Sequence, residues 1–242
     1  MFWLTAFLDV PPPHFEPAVD FWSAVSGWTP SARRGDDEEF LTLTPAEGDP
    51  HLKMQRVGDG APRLHLDVHV PDPRAEADRA IGLGAVEVAD QRADQGYVVL
   101  RSPGGLTFCL VNHPAGTAAP AASWPGGSRS AIDQVCLDIP RETFEDEAGF
   151  WQSLLGWPRS GASLPEFDRL VRPDDQALRI LMQRTGDDGP VRAHLDLACS
   201  QRDREILRHV GLGAHVVSEH SFWTVLEDPA GMHYCLTDRP PA

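Results

Sequence analysis

Two stretches decide the architecture: LDVPPPHFEPAVDFWSAVSGW from Leu8 to Trp28, and LDIPRETFEDEAGFWQSLLGW from Leu137 to Trp157. Asp9 and Asp138, Trp22 and Trp151, Trp28 and Trp157, and His65 and His194 all stand 129 positions apart. The likeness runs on through RLHLDVHV from Arg63 and RAHLDLAC from Arg192, then GLGA from Gly82 and from Gly211. It closes with SPGGLTFCLVN from Ser102 against DPAGMHYCLTD from Asp228. Solenoid periods are roughly 20–50 residues, so this is a duplicated module rather than a repeat array. The reading is one module over 1–113, an Ala/Pro/Gly-rich linker over 114–128, and a second module over 129–242. Duplicated modules can pack about a pseudo-two-fold axis and enclose a site, so the expected assembly is a monomer with such symmetry or a homodimer.

Composition narrows the partners. Hydrophobic residues make up 41 % of the 242, enough for packed cores. Lys and Arg number 21 against 36 Asp and Glu, a net charge of −15. Such a surface repels phosphate backbones, so neither nucleic acid nor an anionic membrane is expected as a partner, and a small molecule is. No apolar run approaches the roughly 20 residues of a membrane span. The N-terminal MFWLTAFLDV aligns with the start of the second module and reads as a strand, not a signal peptide. The four cysteines form no CxxC pair, and Cys109 and Cys235 are repeat equivalents. This pattern predicts free thiols in the cytoplasm rather than a disulfide framework.

Each module reads as a strand (4–10, 132–139), then a helix whose apolar stripe includes Phe21, Trp22 and Val25, or Phe150, Trp151, Leu154 and Leu155. Two short strands follow (39–43 and 51–57; 168–172 and 178–185). Then comes the His-bearing strand and a second helix, started by Asp72-Pro73 or by Ser200 and left through Gly84 or Gly213. Two strands finish the module (97–101 and 107–111; 223–227 and 233–237), joined by SPGG or DPAG turns. The class is α+β, with helices on the outer face of mostly antiparallel sheet.

Side chains two apart on a strand share a face. Leu66, Val68 and Val70 therefore form one row, and His65, Asp67 and His69 the other; His194 and Asp196 repeat the polar row. A plain half-wet sheet would give the same alternation, but two copies with His and Asp at the same places favour a polar row lining a cleft. The candidate acid–base residues are His65, His194, Asp67 and Asp196. Thr5, Gln134, Cys109, Cys235, and the glutamines Gln55 and Gln183 of the repeated MQR strand join the candidate pocket. Trp223 completes it, with Trp3, Phe7, Tyr97 and Phe222 as further aromatics that either stack on a planar ligand or fill the core.

The duplicated unit, the inner His of HLDV and HLDL, and the closing SPGGLTFCL and DPAGMHYCL resemble the glyoxalase, bleomycin-resistance and extradiol-dioxygenase group, the vicinal oxygen chelate superfamily. The resemblance covers nearly the whole chain outside the linker. It implies curled sheets built from βαβββ units, two units per module. Metal-using members of that group place ligands on the first strand, on the strand before the inner His, at the inner His, and at a Glu of the closing strand. Carried over, these positions are Thr5 or Gln134, Gln55 or Gln183, and His65 or His194, while Cys109 and Cys235 replace the Glu. Hard divalent cations want oxygen and imidazole ligands, so the usual metal site is not expected. Any divalent metal would be held by His65 and Cys109 or by His194 and Cys235, a set that suits zinc.

The expected function is binding of a small organic ligand in a pocket of the cupped sheet, without the usual metal and with no resident cofactor. The alternative is a lyase, isomerase or dioxygenase of the same superfamily that uses His65 or His194 as base or metal ligand.

Overall fold

The structure is a computed structural model describing residues 1–58, 60–93, 96–186 and 188–241. The first half of the chain runs β1 (Trp3–Val10), α1 (Pro12–Ser26), β2 (Thr29–Pro30), β3 (Phe40–Thr44) and β4 (Leu52–Arg56). It repeats that order as β5 (Arg63–His69), α2 (Pro73–Gly82), β6 (Val86–Asp90), β7 (Tyr97–Arg101) and β8 (Thr107–Val111). A short β9 (Ala122–Ser123) precedes the second half. There β10 (Arg129–Pro140), α3 (Phe144–Leu155), β11 (Arg159–Gly161), β12 (Phe167–Leu170) and β13 (Arg179–Thr185) come first. Then follow β14 (Arg192–Cys199), α4 (Arg202–Gly211), β15 (His215–Glu219), β16 (Trp223–Glu227) and β17 (His233–Thr237). Four βαβββ units result, in two sheets ordered β2-β3-β4-β1-β5-β8-β7-β6 and β11-β12-β13-β10-β14-β17-β16-β15.

Reading the residues alone gave two strands after each helix; there are three. The strands missed, β2, β6, β11 and β15, are the outermost of their sheets. They are two to five residues long and lie largely in solvent, which leaves little alternation between a buried and an exposed face to reveal them. β6 and β15 each bulge at the same place in the repeat, after Glu87 and after Val216, which blunts an exposed edge. The sheets are mixed: β5 pairs with β8 and β14 with β17 in parallel. Asp72 caps α2 as expected, accepting from the amides of Arg74 and Ala75. Ser200 does not cap α4. The helix begins one residue later behind Gln201, and the Ser200 hydroxyl accepts from the Arg129 amide instead. Among the described residues no helix is long and apolar enough to cross a membrane.

The chain forms two compact units. The first comprises Met1–Ala6, His65–Thr117 and Val135–Ala193; the second comprises Phe7–Leu64, Ala118–Gln134 and His194–Ala242. Each unit draws on both halves of the sequence. In the first, α3 lays Phe150 and Trp151 on Phe108 of β8, with ring centroids 5.8 and 5.4 Å apart. In the second, Phe21 and Trp22 of α1 meet Tyr234 of β17 at 5.9 and 5.2 Å. Edge-on aromatic contacts of this kind add roughly 0.5–1.5 kcal/mol beyond the area they bury.

Arginines close the same joints. Arg79 of α2 donates to the carbonyls of Ser153 and Leu154 at the end of α3. Arg208 of α4 does the same for Ala24 and Val25 of α1. Carbonyls in a last helical turn lack intrahelical donors, and the dipole there favours a cation. Arg208 also stacks 3.7 Å over the ring of Trp124. Trp124 in turn donates to Ser130, and β9 pairs with β10. Much of the Ala/Pro/Gly-rich stretch is thus ordered against the second unit.

A single carboxylate sits at each joint, supplied from opposite sides. In the second unit Asp228, in the turn before β17, accepts from the Trp22 indole at 2.8 Å and from the amides of Ala230 and Met232. Its counterpart in the repeat is Ser102. There the Ser102 hydroxyl accepts the Leu106 amide and bonds Glu147 of α3, which also takes the Trp151 indole and the Gly104 amide, both at 2.7 Å. Burial pushes both carboxyls above their usual range. The close approach explains why Gly104 stands opposite Ala230: a Cβ there would lie 2.3 Å from Val191 Cγ2 and 2.9 Å from Glu147 Oε2.

Glu205, fully buried, accepts from Ser128 at 2.7 Å and from Arg208. Its Oε2 lies 3.7 Å from Nε2 of His209, whose Nδ1 is 2.9 Å from the Tyr234 hydroxyl. Burial opposes the charge, but His209, Arg208 and Ser128 outweigh it and hold the carboxyl down to about 2, from 4.5.

Two outcomes are expected by chemical denaturation. Gly104→Ala costs several times more stability than Ala230→Gly, which costs at most about 1 kcal/mol. A depressed carboxyl contributes stability above its unfolded pKa and loses it as pH falls toward the folded one. Wild type therefore loses stability between pH 4.5 and about 2. Glu205→Gln flattens that limb and costs on the order of 1–3 kcal/mol at neutral pH.

Candidate functional site

Period-two alternation sets His65, Asp67 and His69 along one face of β5. The parallel register with β8 puts Asp67 beside Cys109 and His69 beside Val111. All four polar residues are buried, as are Leu66 and Val68 on the other face, so β5 is a central strand covered on both sides. Donor atoms of His65, Asp67 and Cys109 lie within 4.8 Å of one another. His65 Nε2 is 3.8 Å from Asp67 Oδ1, too far for a hydrogen bond.

Thr5, fully buried on β1, places Oγ1 3.0 Å from Nε2 of His69, and the His113 carbonyl lies 2.8 Å from Nδ1 of the same ring. A carbonyl only accepts, so Nδ1 carries the proton; in the neutral ring Nε2 then takes the Thr5 hydroxyl. His69 is the residue that reading by symmetry passed over. HLDVH contains it, but its repeat counterpart is Ala198, so internal symmetry does not mark it.

In the second unit His194 Nε2 lies 3.4 Å from Asp196 Oδ1 and 3.6 Å from the Cys235 sulfur, and Asp196 is beside Cys235 in register. Gln134, the counterpart of Thr5, donates to Asp196 Oδ2 at 2.5 Å. Burial disfavours charge on Asp196, yet the bond and charge of His194 prevail and keep its carboxyl below the usual range. Burial, with the Asp196 charge, pushes the Cys235 thiol up to about 11, so it stays protonated at neutral pH. Beyond Gln134, Asp133 takes a two-pronged pair from Arg239 at 2.6 and 2.7 Å. No sequence pattern flagged that clamp, since Arg239 has no charged counterpart in the first half: its equivalent is His113.

The remaining candidates stand apart. Gln55 is half-buried on β4 opposite Phe40, and Gln183 half-buried on β13 opposite Phe167. Among the described residues neither hydrogen-bonds to a His–Asp cluster. Trp223, half-buried on β16, pairs with Thr237 and stacks flat on His220 at 4.5 Å. Trp3 is wholly buried and belongs to the core, Phe7 is nearly so, and Phe222 is exposed.

Both sets join imidazole, carboxylate and sulfur. A hard cation such as Mn(II) is served by oxygen and imidazole, and here one oxygen donor is matched with one sulfur. In the second unit that sulfur is a neutral thiol and the carboxylate is already held by Gln134. Neither set fits a hard ion. Imidazole with thiolate suits zinc, and the first set brings those donor types within 4.8 Å of one another.

A family model described as a glyoxalase-like domain matches residues 5–111 and again 134–237. The Mn(II)-bound glyoxalase from Novosphingobium aromaticivorans superposes with a TM-score of 0.66 at 19 % identity, over 96 % of this chain and 80 % of that one. The 2,2',3-trihydroxybiphenyl 1,2-dioxygenase of dibenzofuran-degrading Sphingomonas wittichii gives 0.58 at 16 % identity, over 98 % and 89 %. A catechol 2,3-dioxygenase gives 0.61 at 14 %, over 98 % and 88 %. At such identities the likeness shows the fold alone. No curated protein matches the chain in sequence.

Proposed function

The chain belongs to the glyoxalase-like domain family, and from that premise we propose that it binds a small organic ligand on the His–Asp–Cys face of its sheets without a hard metal ion. The observation that carries the reading is the His194–Asp196–Cys235–Gln134 set. At neutral pH it offers an imidazole beside a carboxylate, an amide and a neutral thiol, where a hard cation is served by oxygen donors.

Its chemistry is that of recognition and proton exchange. Gln134 fixes one oxygen of Asp196, and the other, which accepts no hydrogen bond among the described residues, lies 3.4 Å from His194 Nε2, where its charge favours the protonated ring. A ring so placed can donate to or accept from a ligand hydroxyl or carbonyl. Turnover by a lyase or isomerase would use the ring nitrogen turned away from Asp196 and Cys235, Nδ1, as general base.

The first unit favours a second reading. His65, Asp67 and Cys109 converge within 4.8 Å and would hold a zinc-class ion, which supplies Lewis acidity when bound. Further proposals complete this one. The four cysteines are all free thiols, which supports a reducing compartment such as the cytoplasm. We propose module bounds of 1–113 and 129–242, supported by the two matched ranges that lie within them.

Elemental analysis of protein purified without an affinity tag, then a thermal-shift screen of small oxygenated compounds with and without chelator, tests the proposal. Substoichiometric metal is expected, with ligand shifts that a chelator leaves unchanged. His194→Ala and Asp196→Asn should each weaken binding about tenfold or more, the equivalent of 1.4 kcal/mol. Stoichiometric zinc, lost with chelator together with ligand binding and with Cys109→Ser, would overturn it for the second reading.

A further inference from the structure

We propose that His215, Glu227 and His233 form a surface site for a borderline divalent cation, of which zinc is the type. The three sit in a row across adjacent strands. His215 of β15 is the register partner of Glu227 on β16, and Glu227 is the partner of His233 on β17. Directly paired residues point to one side of a sheet, so all three side chains share a face. By alternation it is the face of Cys235, with the row one rung outward, where burial gives way to solvent. The His233 and Glu227 side chains are 56 % and 40 % exposed, and His215 is exposed as well.

The dimensions suit a metal. Neighbouring strands are about 4.8 Å apart, so the two imidazoles flank the carboxylate at equal spacing and can lean over it. Two ligands on a tetrahedral ion with bonds near 2.1 Å lie roughly 3.4 Å from each other. His233 Nε2 and Glu227 Oε2 are already 3.4 Å apart. His215 does not lie within 4.8 Å of both others as it stands, and a rotamer change at the exposed edge would bring it in. Two imidazoles and a carboxylate are the ligands that zinc, cobalt(II) and nickel(II) accept, and three protein ligands leave a position open for water or an incoming group.

The duplication supplies an internal control. The same row in the first half is Val86, Arg101 and Thr107, in the same register. It offers no metal ligand and adds a cation. The sheet geometry therefore does not require donors at these places, and only the second half carries them.

The test is titration of the tag-free full chain with zinc by calorimetry and with cobalt(II) by absorption, in wild type, His215→Ala, His233→Ala, Glu227→Gln and the double His variant. The expected result is one site with visible cobalt bands but no sulfur-to-metal charge transfer. Each single variant should weaken it about tenfold or more, and the double variant should abolish it. The melting temperature without metal should barely move, because the residues are exposed. An unchanged affinity in the double variant would overturn the site. So would a cobalt spectrum whose only band is charge transfer that disappears in Cys109→Ser, which would report on the buried cluster and the preceding section's second reading instead.

Discussion

One buried carboxylate, gripped between a helix tryptophan and the amides of a strand turn, holds each unit's helix on its sheet. Asp228 does this for Trp22, and Glu147 for Trp151. The aromatic stacks on Tyr234 and Phe108 lie beside these bonds, and the arginine caps from α4 and α2 close the helix ends. Because α1 sits with β17 and α3 with β8, the first helix of each sequence half finds its partners in the other half. A buried acceptor facing an indole must be matched or it costs about 1–3 kcal/mol. The duplicated chain has kept the acceptor while changing which element brings it. With the acid on the helix in the first unit, the Ser102 hydroxyl accepts one turn amide and Gly104 leaves open the space that a Cβ would fill.

The two polar rows show how far equivalent positions have diverged. Where Gln134 engages Asp196, its counterpart Thr5 engages His69. The second unit's dyad is thereby fixed at 3.4 Å, while His65 and Asp67 stand 3.8 Å apart. An amide reaches across to the neighbouring carboxylate; a hydroxyl does not.

Much of the fold was legible from text. Repetition at 129 positions announced the duplication, helical spacing of Phe and Trp marked α1 and α3, and Asp-Pro marked the start of α2. The edge strands were not legible, because a strand in solvent needs no apolar alternation. Nor was the false cap at Ser200, whose hydroxyl had a better donor in Arg129 on a strand distant in sequence. Of the candidate site, His65, Asp67 and Cys109 converge, and His194, Asp196, Gln134 and Cys235 converge. Gln55 and Gln183 do not join them, since shared membership of an MQR strand says nothing of what a glutamine faces. His69 and Arg239 went unweighted because internal symmetry is blind to what occurs once.

The sequence by itself determined the duplication, the order of the main elements and the residue types on each strand face, since these depend on spacing along the chain. Only the tertiary structure decided which half's strand each helix packs on, that both faces of β5 are covered, and which donors lie near which acceptors. Those are matters of distance through space between residues up to 206 positions apart, as Trp22 and Asp228 are, and a linear pattern carries no term for them.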